Sequence, residues 1–225
     1  MTAPTAPITL ITHAGPAAPH AVVTRIGGVP LAVPGTAWPS CAECAGPLKF
    51  LAQLLLDESG SAVAGGGRPH AHVLALFACQ NRPGTCQDWS PTSGANRALL
   101  LPARGLRRIA RPRGRDVDPE KLFLGAAHAA EPQVLPDAAD YDSAVTAWAA
   151  RTGRPRNHVL GQLGGPPAWL QYEQTPACGT CAEPMRQAAQ LQEGPDPVTA
   201  LNFGTGRGHA FTCVPCGEAV FLWQC

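Results

Sequence analysis

Apolar positions along the chain fall in short runs separated by Gly, Pro and small polar residues, which is the pattern of strands joined by turns. Residues 48–56 and 73–77 form two such runs. Phe211 and residues 219–223 mark two more. Residues 137–151 behave differently: Asp137 or Asp140 is placed to cap a helix on which Tyr141, Val145 and Trp148 make one apolar stripe at i, i+4 and i+7. Residues 185–192 are ambiguous by themselves, since Ala and Gln favour helix.

The ambiguity is resolved by an internal repeat. Ile26-Gly27-Gly28-Val29-Pro30 aligns with Leu163-Gly164-Gly165-Pro166-Pro167, and with no gap Cys41 then falls on Cys178 and Cys44 on Cys181. Pro47 meets Pro184, Leu48 meets Met185, and Gln53-Leu54 meets Gln190-Leu191. Residues 185–192 therefore read as a strand, because their counterpart carries Phe50 and Leu54 to Leu56. After a small change of spacing, Phe77-Ala78-Cys79 matches Phe211-Thr212-Cys213. The expected organisation is a flexible segment at 1–20, a first repeat at 21–101, an Arg/Pro-rich connection with one helix at 102–157, and a second repeat at 158–225.

Composition narrows the class. Gly and Pro number 24 each and charged residues make up only 15%, so much of the backbone lies in turns. Formal net charge is +1, which removes any global field that would recruit nucleic acid or an anionic membrane. The first twenty residues lack the basic start and apolar run of a secretory signal, and no stretch approaches the roughly 18 apolar residues of a membrane span. A cytoplasmic protein without a membrane association is expected, in a compartment where paired thiols bind metal rather than form disulfides.

Nine cysteines then become the main chemical signal: two groups of four and a last one, Cys225, expected to be a free thiol without a role. Two cysteines separated by two residues wrap a tight turn that aims both sulfurs at one tetrahedral ion, and a second pair from a neighbouring hairpin completes the shell. The expected sites are Cys41, Cys44, Cys79 and Cys86, and Cys178, Cys181, Cys213 and Cys216, each a zinc-ribbon-like centre holding a structural Zn²⁺. Four thiolates leave no open position for substrate. In the first site residues 80–85 widen the loop between the last two cysteines. A thioredoxin-type dithiol is the competing reading, but neither Cys41 nor Cys178 follows an apolar strand.

Other features have plain readings. His70, His72 and His209 precede apolar runs and read as surface or supporting side chains, with a catalytic role as the alternative. No nucleophile constellation is evident. The stretches Gly65-Gly66-Gly67 and 204–208 lack the helix start of a phosphate loop. Arginines 104, 107, 108, 111, 113 and 115 form the one dense basic stretch, a possible polyanion surface, though Asp116, Asp118 and Glu120 follow at once. Trp38, Trp89, Trp169 and Tyr172 flank the cysteine loops and read as packing residues or, if exposed, as a peptide-binding surface.

Ile26-Gly27-Gly28-Val29-Pro30, Trp38-Pro39, Cys41-Ala42-Glu43-Cys44, Pro47-Leu48 and Phe50-Leu51-Ala52-Gln53 resemble the YwqG-like and programmed cell death protein 2-like superfamily. Leu163 to Trp169 and Phe211 to Trp223 are similar to the same pattern in its second half. The resemblance implies a duplicated, β-rich fold and, by likeness to the eukaryotic members, a chaperone for a protein client. The chain lacks the additional MYND-type finger of those members. Its Arg-rich, Lys-poor composition is that of a high-GC bacterium.

The sequence thus predicts an α+β, β-rich fold with an internally duplicated unit and two structural zinc ions. The expected function is a protein-binding module acting as a chaperone or assembly factor. The alternatives are nucleic-acid binding through residues 104–115 and an enzyme whose site is not identified.

Overall fold

The computed structural model describes residues 7–61, 70–113, 122, 124–197 and 201–225. Gly65-Gly66-Gly67, Arg115, Asp116, Asp118 and Glu120 lie outside them. Twelve strands and one α-helix are present among the described residues: β1 (Ile8–Pro16), β2 (Arg25–Ile26), β3 (Leu31–Ala32), β4 (Lys49–Leu56), β5 (His72–Ala78), β6 (Asn96–Pro102), β7 (Arg107–Arg108), β8 (His128–Leu135), α1 (Tyr141–Thr152), β9 (Val159–Leu163), β10 (Arg186–Leu191), β11 (Arg207–Cys213) and β12 (Glu218–Gln224). Ten of the strands form one antiparallel sheet in the order β12-β11-β10-β9-β1-β8-β2-β4-β5-β6. Strands β3 and β7 pair separately.

The sheet curls until its two edge strands, β6 and β12, lie against each other, giving a nearly closed barrel. The predicted α+β class is therefore corrected: helix makes no layer of its own. Its single member α1 begins at Asp140, whose carboxylate accepts from the Ser143 N–H at 2.7 Å, as the cap pattern predicts. Tyr141, Ala144, Val145 and Trp148 of α1 bury against Leu10, Leu135 and Val159 of β1, β8 and β9. The helix covers one face of a sheet that continues on both sides of it.

Every strand that the apolar runs predicted is present, and residues 186–191 are strand, as the repeat implied. Two central strands depart from the expected organisation. Residues 8–16, placed in a flexible segment, form β1. Residues 128–135, placed in the Arg/Pro-rich connection, form β8, although Pro132 stands in its middle. A proline fits there because β2 pairs only with His128 and Ala129, so beyond Ala130 strand β8 is bonded along its β1 side alone.

These two strands also change what the repeats are. β1 precedes the first repeat in the chain yet pairs with β9 of the second, and β8 precedes the second yet pairs with β2 of the first. Each half lends its leading strand to the other, and the two lent strands pair along their length. Halves built this way share one sheet. The largest core cluster combines Leu51, Leu54, Leu74 and Leu76 from the first half with Leu160, Leu191, Phe203 and Phe221 from the second.

The duplication extends to single atoms. Gly27-Gly28 and Gly164-Gly165 all adopt φ between 56° and 71°, turning the chain out of β2 and β9 in the same way. Buried Gln53 accepts from Leu31 N–H at 3.3 Å, and buried Gln190 accepts from Ala168 N–H at 2.9 Å. Arg25 donates to Val29 O at 2.7 Å where Gln162 donates to Pro166 O at 2.9 Å. Such buried side chains satisfy backbone groups that no ladder reaches. Among the described residues no helix is long and apolar enough to cross a membrane.

Candidate metal centres

In each half the first cysteine pair sits on a tight knuckle just ahead of a core strand. An isolated bridge between Ser40 and Pro47 closes the first knuckle and one between Ala177 and Pro184 closes the second. Cys41 N–H donates to Gly46 O and Cys178 N–H to Glu183 O, both at 2.8 Å, while Ala45 and Ala182 take φ of 59° and 61° to complete the turn. This geometry folds backbone N–H groups onto sulfur: those of Glu43 and Cys44 reach Cys41, and those of Thr180 and Cys181 reach Cys178. The second pair of each quartet comes from the end of the neighbouring strand. Cys79 follows β5, and Cys213 ends β11 with Cys216 in the short 3₁₀ turn after it.

All four sulfurs of each quartet lie within 4.8 Å of one another. Cys44 Sγ is 3.7 Å from Cys79 Sγ, and Cys181 Sγ is 3.8 Å from Cys213 Sγ. An ion bound at about 2.3 Å by four thiolates has tetrahedral edges of about 3.8 Å. No cysteine is disulfide-bonded. Each group could therefore hold one metal ion, and its four sulfurs are those of the cysteines that the spacing grouped.

The thiols without a cation frustrate one another. Burial, then the neighbouring thiols of Cys79 and Cys44, pushes Cys86 far above its ordinary value, and contacts with Cys181 and Cys213 do the same to Cys216. The Glu183 N–H and the neighbouring Cys178 hold Cys181 below its ordinary value. One thiolate is accommodated easily, while further ones need a positive charge between them.

The surroundings of the quartets differ. In the first site Cys41, Cys79 and Cys86 are buried, and Phe50, Phe77 and Leu48 pack around them. Asn81, from the extra loop, donates to Cys79 Sγ at 3.4 Å and to Pro47 O at 3.0 Å. The second site has only Cys178 buried, with Cys181 exposed. There Glu218 takes the bracing role: its carboxylate accepts from Gly179 N–H at 2.9 Å and from the Thr180 hydroxyl. A carboxylate 3.3 Å from Cys178 Sγ adds negative charge where thiolates gather. Exposure and charge together predict that a competing chelator strips the second site first, roughly tenfold faster than the first. Biphasic release followed with a colorimetric chelator checks this, and Cys181→Ser removes the fast phase alone.

Trp38 and Trp169 pack edge-on and stacked against Phe77 and Phe211, with ring centroids 5.9 Å apart in both cases, so they support the two cysteine loops. Trp89 and Tyr172 are instead exposed, at 47% and 65%. The histidines that the sequence singled out do not assemble. His70 is exposed, and His72 makes a 3.3 Å contact with Asp57 O. His209 is fully buried beside Trp169, where burial and then Arg207 push it down to about 3, so it is a neutral packing side chain. A different trio, His13, His128 and His158, comes together with no local sequence signal, because strand pairing across the two halves assembles it.

The arginine stretch is anchored by buried Leu106 and Ile109 and by the pairing of β7 with β3. Arg104, Arg107, Arg108, Arg111 and Arg113 point to solvent. Cys225 is exposed and stands apart from both quartets.

No family model matches the chain. A stretch of 66 residues, 29% of the chain, is 33% identical to the uncharacterized protein YpfL of Salmonella typhimurium. The matched part spans 15% of that relative's own length.

Proposed function

We propose that the protein is a zinc-stabilised binding module that holds an extended segment of a client protein along the seam of its barrel. Zinc is the favoured ion because four soft thiolates in a tetrahedral set suit it, and a shell filled by four thiolates supports a structural role over a reaction. The resemblance to chaperones of the programmed cell death protein 2-like group agrees with a protein client.

The observation that carries the proposal is the seam. β6 and β12 face each other as edge strands, and the only backbone bond between this part of β12 and the opposite side, among the described residues, runs from Trp223 N–H to Trp89 O at 3.2 Å. Strand edges that no ladder joins accept an added strand, here once β6 and β12 move apart to admit it. Beside the seam, Gln224 ties down Leu170, Gln171 and Tyr172 through their backbones, and Leu170 and Tyr172 are exposed there, as is Trp89, whose carbonyl accepts from Trp223 of β12. Ala98 and Leu100 of β6 and Ala219 and Trp223 of β12 are only partly buried against the core and offer further apolar surface.

The test is capture from native lysate with the wild type and with Trp89→Asp/Tyr172→Asp. A stoichiometric protein retained by the wild type and lost from the double variant, at unchanged melting temperature, is the expected result. Equal retention by both proteins, or no stoichiometric partner for the wild type, overturns the proposal.

A further inference from the structure

The strand exchange places one histidine on each of three neighbouring strands or their ends. His13 lies opposite Ala130 in the β1–β8 ladder, which puts it diagonal to His128 on the same face. On the other side Thr12 pairs with Val159, so His158, one residue earlier, stands beside His13. The ring centroids of His13 and His128 are 4.8 Å apart, and those of His13 and His158 are 5.9 Å apart. A bulge in β1 between His13 and Gly15 aims the row, as bulges beside functional groups do.

Two nitrogens in this row are anomalous. His13 Nε2 and His128 Nδ1 are buried and have no hydrogen-bond partner. Buried polar atoms without partners ask for an explanation, and an ion is one of the few available. The other nitrogen of His128, Nε2, faces Asp196 Oδ2 at 3.7 Å, the side on which metal-binding imidazoles commonly carry an orienting carboxylate. Burial, and then the charge His128 would carry, holds His13 below its ordinary value; burial and Arg154 do the same for His158.

We infer that His13, His128 and His158 form a third metal site, separate from the cysteine quartets, that takes a divalent transition ion suited to imidazole. Arg154 guards it. Its guanidinium donates to His158 Nδ1 at 2.8 Å and to His13 O at 2.7 Å, and lies 5.4 Å from the centre of the Trp148 ring. In this arrangement the nitrogens do not share one coordination shell: among the described residues only the cysteine groups have ligand atoms all within 4.8 Å. Binding therefore displaces Arg154 from His158 and turns the rings inward. The ion competes with a fixed positive charge, so the guanidinium sets the affinity.

The experiment titrates Ni²⁺ into protein whose cysteine sites are already filled with zinc, read by calorimetry and by the visible absorption of the nickel complex. The wild type takes up one equivalent beyond the two zinc ions. His13→Gln/His128→Gln and, separately, His158→Gln weaken this uptake by roughly tenfold or more, with zinc content and far-ultraviolet circular dichroism unchanged. Arg154→Met, which keeps an apolar side chain on Trp148, tightens it. Absence of the extra equivalent in the wild type, its survival in the histidine variants, or weaker binding in Arg154→Met each overturns the site. A histidine variant that loses zinc or its dichroism passes the decision to the remaining variants, of which Arg154→Met leaves all three rings intact.

Discussion

Replacing Cys79 by serine is expected to unfold the first half and to take most of the sheet with it. Cys79 is 3% exposed and belongs to the apolar cluster that includes Cys41, Cys86, Phe50 and Phe77. Loss of one thiolate both opens the metal shell and leaves a hydroxyl in a dry site. If the quartet holds zinc as proposed, the relevant scale is the roughly 10–16 kcal/mol of apparent binding energy of structural zinc sites in peptides, against a whole-domain stability of only about 5–15 kcal/mol. Even a fraction of that loss exceeds what the remaining core supplies. The measurement is a thermal melt with metal analysis: Cys79→Ser is expected to bind one metal ion fewer per chain than the wild type and to lose its cooperative transition. Cys225→Ser, at an exposed thiol outside both quartets, retains two ions and the wild-type melt. A Cys79→Ser protein that melts as the wild type does would assign the first quartet no part in stability.

Severing the chain between residues 113 and 122 is the second large perturbation, and its outcome follows from the exchanged strands. The fragment ending at 113 keeps β1 but lacks both of its partners, β8 and β9, and its β2 loses β8. The fragment starting at 122 keeps β8 and β9 but lacks β1, which joins them. Each fragment alone exposes unpaired edges and half of the shared core, so each is expected to aggregate or remain unfolded. Coexpressed, they are expected to form a one-to-one complex with the circular dichroism of the intact chain. Size exclusion and a melt of each fragment give the answer. A sharp transition in either one alone would mean that the halves are independent domains after all.

The two cysteine clusters were legible from sequence because their geometry is local: two cysteines on one turn must point together, and the repeat supplied the partners. The core strands β4, β5, β11 and β12 were legible because each carries apolar residues of its own, and β10, whose Arg-Gln-Ala-Ala-Gln-Leu is ambiguous alone, was legible through its repeat partner β4. β1 and β8 were not. In β1 the short β-branched run Ile8 to Thr12 is masked by the Pro- and Ala-rich residues around it, while β8, with Pro132 in its middle, is a strand through its pairings with β1, such as Leu135 with Ile8. Missing them gave two separate halves and an overstated role for the helix. The histidine row was hidden by the same omission, because His13 and His128 are neighbours only once β1 and β8 are side by side.

The lent strands bear on descent as well as on stability. A gene encoding one unit alone would make a chain whose first strand had nowhere to lie except on another copy, so the smallest complete ancestor is an obligate homodimer. Fusing two copies into one polypeptide freed them from having to match. One half now screens its cysteines behind a longer loop carrying Asn81, while the other leaves Cys181 open to water. The present asymmetry is of a kind that identical subunits, translated from a single message, would have had no means to acquire.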